Sequence, residues 1–289
     1  MKKLVSAAKP FGLLLSVIAI LSAGSSTAFA VEGHRSDLVN RQVLRVCADP
    51  ANMPFSSQKE QGFENKIADI IGDELGVPVE YTWFPQAIGF TRNTLLAKRC
   101  DLIIGTGQGD DLVLNTNALY RSAYALLYAP GKGLDGVESI FDPRLKDKVI
   151  GVVQGTPPAD LVAKAGLMGK AKPYRLMVDR RFDNPAADMV KAIRDGEIDA
   201  GVLWGPQAGY FAQKDGEKLT VVPLVKDAKE HGGRTEFRIT MGVRQGDDLW
   251  KRQLNDILNK RRKDIDRVLL SYGVPLLDED NKPVTEPRG

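Results

Sequence analysis

The sequence predicts a two-lobed α/β protein, and three observations carry that prediction. Strand-like and helix-like segments alternate from Val43 onward, the alternation restarts after a Gly-rich interval (Gly131, Gly133, Gly136), and two extended segments join the two series. In the first series, Val43–Ala48 is a short apolar strand, and Ile67, Ile70, Ile71 and Leu75 recur at helical spacing over Glu64–Leu75, stopping at Gly76. Val79–Phe84 is a strand, Gly89–Ala97 a helix and Leu102–Gly105 a strand again, so the order β-α-β-α-β favours a mostly parallel sheet.

The second series reads the same way. Val149–Val153 is a strand, Pro158–Ala165 a helix, Arg175–Val178 a strand, and Pro185–Asp195 a helix ended by Gly196. Ala200–Leu203 and Thr220–Leu224 complete a second, separate sheet. Tyr124–Tyr128 leads out to this lobe and Phe237–Val243 leads back. Two crossings place the helices Asp247–Arg261 and Arg262–Tyr272 on the first lobe, with their interspersed Lys, Arg and Asp forming a solvated face.

At 289 residues with 43% hydrophobic and 27% charged, the chain is neither a disordered tail nor a small disulfide scaffold. Residues 1–30 hold Lys2, Lys3 and Lys9 and no acid, then an apolar run Phe11–Leu21 and the small-residue site Ala28-Phe29-Ala30. That is the pattern of a cleaved secretory signal, and an apolar run of about 11 residues is short of the ~20 that span a bilayer. The 40 Lys and Arg less those three equal the 37 Asp and Glu, so the exported part is neutral. Nucleic acid and membrane surfaces are therefore not expected partners. Cys47 and Cys100 are the two cysteines, both beyond the leader, where thiols are usually oxidised in pairs. A Cys47–Cys100 bridge is the expectation, with two buried free thiols as the alternative.

Ligands of open α/β sheets bind beyond the carboxyl ends of the strands. Here those ends are Asp49–Phe55, Phe84-Pro85, Gly105–Gln108, Gln154–Pro157 and Trp204–Pro206. The candidate cleft or partner-binding residues are Asp49, Phe55, Trp83, Gln108, Tyr120, Gln154, Thr156 and Trp204, with Thr156 also placed to cap the helix opened by Pro157-Pro158. The loop from Gly105 does not complete G-x-G-x-x-G, since position 110 is Asp, and no G-K-[ST] occurs. His34 and His231 are the two histidines, too few for a His-rich metal site, and no H-E-x-x-H or paired C-x-x-C occurs. Neither catalysis nor a bound metal or cofactor is expected.

The plan resembles the type II periplasmic solute-binding proteins of ABC importers over nearly all of Val43–Tyr272. This resemblance implies lobes that are each a mixed sheet flanked by helices and joined by two hinge crossings, with residues 31–126 and 240–289 in the first and 127–239 in the second. Amino-acid binders of that group carry an arginine soon after the third-strand loop and an aspartate in the second lobe. Here 107–114 contains no arginine and Trp204 takes the aspartate's place, which removes two charge-assisted bonds of roughly 1.5–3 kcal/mol each and speaks against an amino-acid cargo. Seven blocks in order (Leu44–Pro50, Gly62–Ala68, Gly89–Leu95, Cys100-Asp101, Tyr120–Tyr124, Thr156–Ala159 and Val202–Phe211) are similar to the binding-protein-like accessory factors of quinoprotein methanol dehydrogenases, the MxaJ and XoxJ type. That resemblance implies a periplasmic, non-enzymatic protein that serves a PQQ-dependent alcohol dehydrogenase and its cytochrome c by assisting maturation or activation. Trp204 and glycines in place of charged anchors leave an apolar cleft suited to a segment of that partner, and a monomer is expected. A solute-binding protein that feeds an importer with a small ligand other than an amino acid is the alternative.

Overall fold

The computed structural model describes residues 39–214, 216 and 218–289; the leader and His34 lie outside them. Strand β1 (Leu44–Ala48) is buried nearly throughout and leads through the small hairpin β2 (Ala51–Asn52) and β3 (Ser56–Ser57) into helix α1 (Phe63–Leu75). Asn65 Oδ1 accepts the Gly62 N–H at the start of α1, and Gly76 at φ 68° ends it in the left-handed conformation, which glycine adopts without a clash because it has no Cβ. Its apolar stripe Phe63, Ile67, Ala68 and Ile71 is buried, which stabilises the fold by about 1.5–3 kcal/mol for each large side chain. Strand β4 (Val79–Trp83) follows and pairs β1 in parallel, and β1 pairs β5 (Leu102–Gly107) in parallel on its other side.

The helix expected over Gly89–Ala97 is one turn, α2 (Phe90–Asn93). Thr94 Oγ1 donates to Phe90 O at 2.6 Å and its backbone leaves the helical region, which turns the chain toward Cys100. Cys100 is disulfide-bonded to Cys47 with Cα atoms 5.6 Å apart, and Ile103, Phe90, Leu95 and Val113 pack around the pair. Next to it Arg244 donates to Cys100 O (2.6 Å) and Asp101 Oδ1 (2.7 Å), Arg45 Nε donates to Asp101 Oδ2 (2.8 Å), and Trp250 Nε1 donates to Asp101 O (3.0 Å).

The long strand β6 (Leu114–Tyr128) overturns the expectation of two separate sheets. Beyond it come β7 (Ile150–Val153), α3 (Pro157–Lys164), β8 (Ala171–Tyr174), α4 (Pro185–Arg194), β9 (Ala200–Trp204), α5 (Gly205–Gln213), β10 (Thr220–Pro223), α6 (Val225–His231) and β11 (Glu236–Val243). Helices α7 (Asp248–Lys260) and α8 (Arg262–Ser271) and the hairpin β12 (Leu276–Leu277)–β13 (Pro283–Val284) finish the chain. Strand order is β4-β1-β5-β11-β6-β9-β7-β8, with β10 on the other edge of β6. The stretch of β6 from Leu114 to Ala123 pairs β11 and its last residues lie between β9 and β10, all antiparallel. One strand is therefore shared, and the sheet is mixed, as the family resemblance implies and not mostly parallel as the β-α-β-α-β order favours, because a chain that leaves and returns must run both ways through the waist.

Each half of this sheet has its own core. One gathers α1, α7 and α8 on β1, β5 and β11, with Phe63, Ile67, Trp250, Leu254 and Leu269 at its centre. In the other half, Met189, Ile193 and Phe211 cover one face of the β9–β7 sheet while Ile140, Ile150, Leu161 and Val202 belong to the other cluster. The strand expected at Arg175–Val178 lies earlier, at Ala171–Tyr174, because β7 ends at Val153 and offers no partner past Tyr174. The freed residues Arg175–Val178 bend away and line cavities between the halves.

Candidate functional site

The site forms where β1, β5, β6 and β9 and the segment after β8 meet. Asp49, the first residue past β1, is buried; its Oδ1 accepts the Ala51 N–H (2.8 Å) and its Oδ2 the Gln86 N–H (2.7 Å). Asn52 Nδ2 donates to Gln86 Oε1 at 2.9 Å. From the opposite half, Arg180 donates to Gln86 O (3.0 Å) and its guanidinium stands 3.6 Å from Asp49 Oδ2. One arginine thus ties the two walls together by a charge-assisted contact.

Beside this tie lies a cavity of about 300 Å³, floored by Phe55, Glu64, Gly105 and Tyr120 and walled by Tyr124, Thr156, Arg180, Trp204 and Gln207. Trp204, Tyr124 and Phe237 form an edge-to-face trio with centroids 5.3, 5.8 and 6.2 Å apart. Glu64, in the first turn of α1, is buried with 8% of its surface exposed, and no hydrogen bond or ion pair reaches its carboxyl among the described residues. Burial above all, and the nearby Asp49 charge second, hold its carboxyl well above the usual carboxylate range. Burial first and Glu64 second push the Tyr120 phenol up as well, and burial raises Tyr124. Gly105 has φ 84°, and a Cβ there would collide with the Glu64 carboxyl, so a glycine serves both the backbone and the space that Glu64 occupies.

The structure brings Phe55, Tyr120, Thr156 and Trp204 of the expected residues onto this cavity. Asp49 faces the adjoining cavity of about 450 Å³ with Pro85 and Met177. Trp83 instead stacks on Tyr81 with centroids 4.6 Å apart, and Gln108 and Gln154 are exposed strand-end residues whose N–H groups bond Arg238 O and Tyr174 O. Thr156 does not cap α3: its hydroxyl donates to Val153 O at 2.6 Å, closing the turn that precedes the helix. The lining is mixed, which corrects the expectation of an apolar cleft. Glu64, Asn52, Gln86, Arg180 and Gln207 share it with the aromatic rings. Glu64 was visible in the Gly62–Ala68 block as an acid in a first helical turn; Arg180 sits in irregular chain and had no sequence signal. Among the described residues no three His, Cys, Asp or Glu converge to hold a metal ion, and no helix is long and apolar enough to cross a membrane.

No family model matches the chain. It is 32% identical to protein MoxJ of Methylorubrum extorquens over 252 residues, covering 82% of this chain and 83% of MoxJ. Among solved structures, the periplasmic binding protein XoxJ from Methylobacterium extorquens AM1 is similar at 43% identity and TM-score 0.70, over 82% of this chain and 100% of XoxJ. MxaJ from Methlophaga aminisulfidivorans MPT is similar at 27% identity and TM-score 0.69, over 81% of this chain and 100% of MxaJ. The mixed α/β fold, the order of the sequence blocks and these full-length likenesses converge: the chain belongs to the MoxJ family, together with the periplasmic binding proteins XoxJ and MxaJ.

Proposed function

We propose that this chain is a periplasmic accessory protein of a quinoprotein, PQQ-dependent methanol dehydrogenase, which it binds and assists in maturation or activation. The observation that carries the reading is the likeness to XoxJ over the whole of that chain at 43% identity. On this reading the chain is a monomeric binding protein without a cofactor of its own, and the dehydrogenase's cytochrome c is a second contact. Its grip is the cavity between the halves, where Phe55, Tyr120, Tyr124 and Trp204 offer aromatic surface and the polar groups fix orientation. Burying such surface contributes about 25 cal/mol per Å², while a few placed polar groups supply specificity. Closure of one half on the other, tied by Arg180, would clamp a segment of the partner.

The test is titration of the purified mature chain against the cognate dehydrogenase, followed by biolayer interferometry and by dye-linked methanol oxidation. Association and a rise in active dehydrogenase are expected. Trp204→Ala removes the ring that closes the aromatic trio and is expected to weaken association about tenfold or more, in the range of a buried interface aromatic. Absence of association and of any change in activity across the titration overturns the proposal.

A further inference from the structure

The carboxyl of Glu64 is the feature of the cavity that the fold does not use. It stands in the first turn of α1 against Gly105, buried and without a partner among the described residues, and it opens onto a space of about 300 Å³. A carboxyl that has no protein partner and faces a cavity is open to a ligand atom in place of water. Around it are the rings of Phe55, Tyr120, Tyr124 and Trp204. The charged and titratable groups that face the space are Glu64 from α1, Tyr120 and Tyr124 from β6, and Arg180 from the segment after β8; Asp49, at the end of β1, lines the adjoining cavity and stands 3.6 Å from Arg180. Arg180 is spoken for by Asp49 and the Gln86 carbonyl, so with Glu64 ionised the set is one positive charge short. A carboxylate beside several aromatic faces is the surrounding that a small cation prefers, since the ring faces are negative and the carboxylate supplies the charge.

We propose that this cavity receives an alkylammonium group, with Glu64 as its carboxylate partner and the aromatic rings as its walls. The inference rests on the binding role proposed above and names the chemical group recognised there. The ammonium comes either from a lysine side chain of the bound protein or from a free primary amine. The ammonium favours the ionised form of Glu64, and any proton displaced from the carboxyl passes to solvent.

The probe is n-butylammonium, with n-butanol as its neutral counterpart, titrated into the mature chain by calorimetry at a series of pH values. Butylammonium is expected to bind at least about tenfold more tightly than butanol, and its affinity is expected to rise with pH as the carboxyl ionises, whereas that of butanol stays level. Glu64→Gln, close in shape, is expected to abolish both the preference and its pH dependence while its circular dichroism stays that of the parent chain. Glu64→Asp, should the glutamine variant fail to fold, keeps the charge and is expected to keep the pH dependence with weakened binding. Equal binding of the two probes, or a Glu64→Gln chain that still prefers butylammonium, overturns the inference. If the dehydrogenase associates normally with a chain that shows no such preference, this inference falls and the accessory role stands; amine binding without dehydrogenase association has the reverse meaning. Nα-acetyl-lysine methylamide and a lysine-acetylated dehydrogenase separate the sources: loss of association on acetylation assigns the ammonium to the partner's lysine, and retention assigns it to a free amine.

Discussion

Glu64 shows how a single buried acid sets a pH dependence. Its folded-state carboxyl is held well above the unfolded value of 4.5, so the native state keeps a proton that the unfolded chain gives up. Below that unfolded value both states are protonated and Glu64 has no effect. Above it the unfolded chain ionises first, so stability is lost progressively as pH rises toward the folded value and stays lost beyond it. Glu64→Gln removes this penalty. The variant is therefore expected to melt higher than the parent chain near pH 8 and at the same temperature near pH 4, in calorimetric scans at matched ionic strength. Equal shifts at both pH values would mean that Glu64 is not the group responsible. Sequence alone placed an acid at the start of a helix, but it did not reveal that Gly105 would stand against it or that burial would strip it of partners.

Elements with strong local signals formed where the sequence placed them. Helix α1 has its apolar stripe and terminal glycine, α4 has Asn184 accepting the Ala187 N–H at its start with Pro185 in the first position, and α7 carries Trp250, Leu254, Ile257 and Leu258 inward. Where local preference was weak, pairing decided. The register of β7 drew β8 back to Ala171–Tyr174, and Thr94 cut α2 short in a segment held by Cys100. The Cys47–Cys100 bridge closes a loop of 53 residues in sequence and joins the turn before β5 to β1. Replacing both cysteines with serine is expected to lower the unfolding free energy by about 2–5 kcal/mol, read from urea midpoints at constant slope. A change below about 1 kcal/mol would assign the stability of this region to the Asp101, Arg45 and Arg244 cluster instead.

On the scale of the whole molecule, two cores share the strand β6, and Arg180 crosses the gap between them. The guanidinium is about one-third exposed, so its contact with Asp49 contributes little to global stability, below about 1 kcal/mol. Its effect is on closure. Arg180→Ala is expected to enlarge the radius of gyration in small-angle scattering while the melting temperature moves by no more than a few degrees; an unchanged radius would show that other contacts hold the halves together. The sequence by itself determined the alternation of elements, the out-and-back path, the paired cysteines and the aromatic rings at the strand ends, because periodicity, turn residues and composition are local properties of the chain. The tertiary structure alone decided that the two sheets share a strand, that Arg180 meets Asp49 and that Glu64 lies buried and unpaired beneath the rings. Those features depend on register, closure and desolvation, which arise only when residues far apart in the chain are packed together.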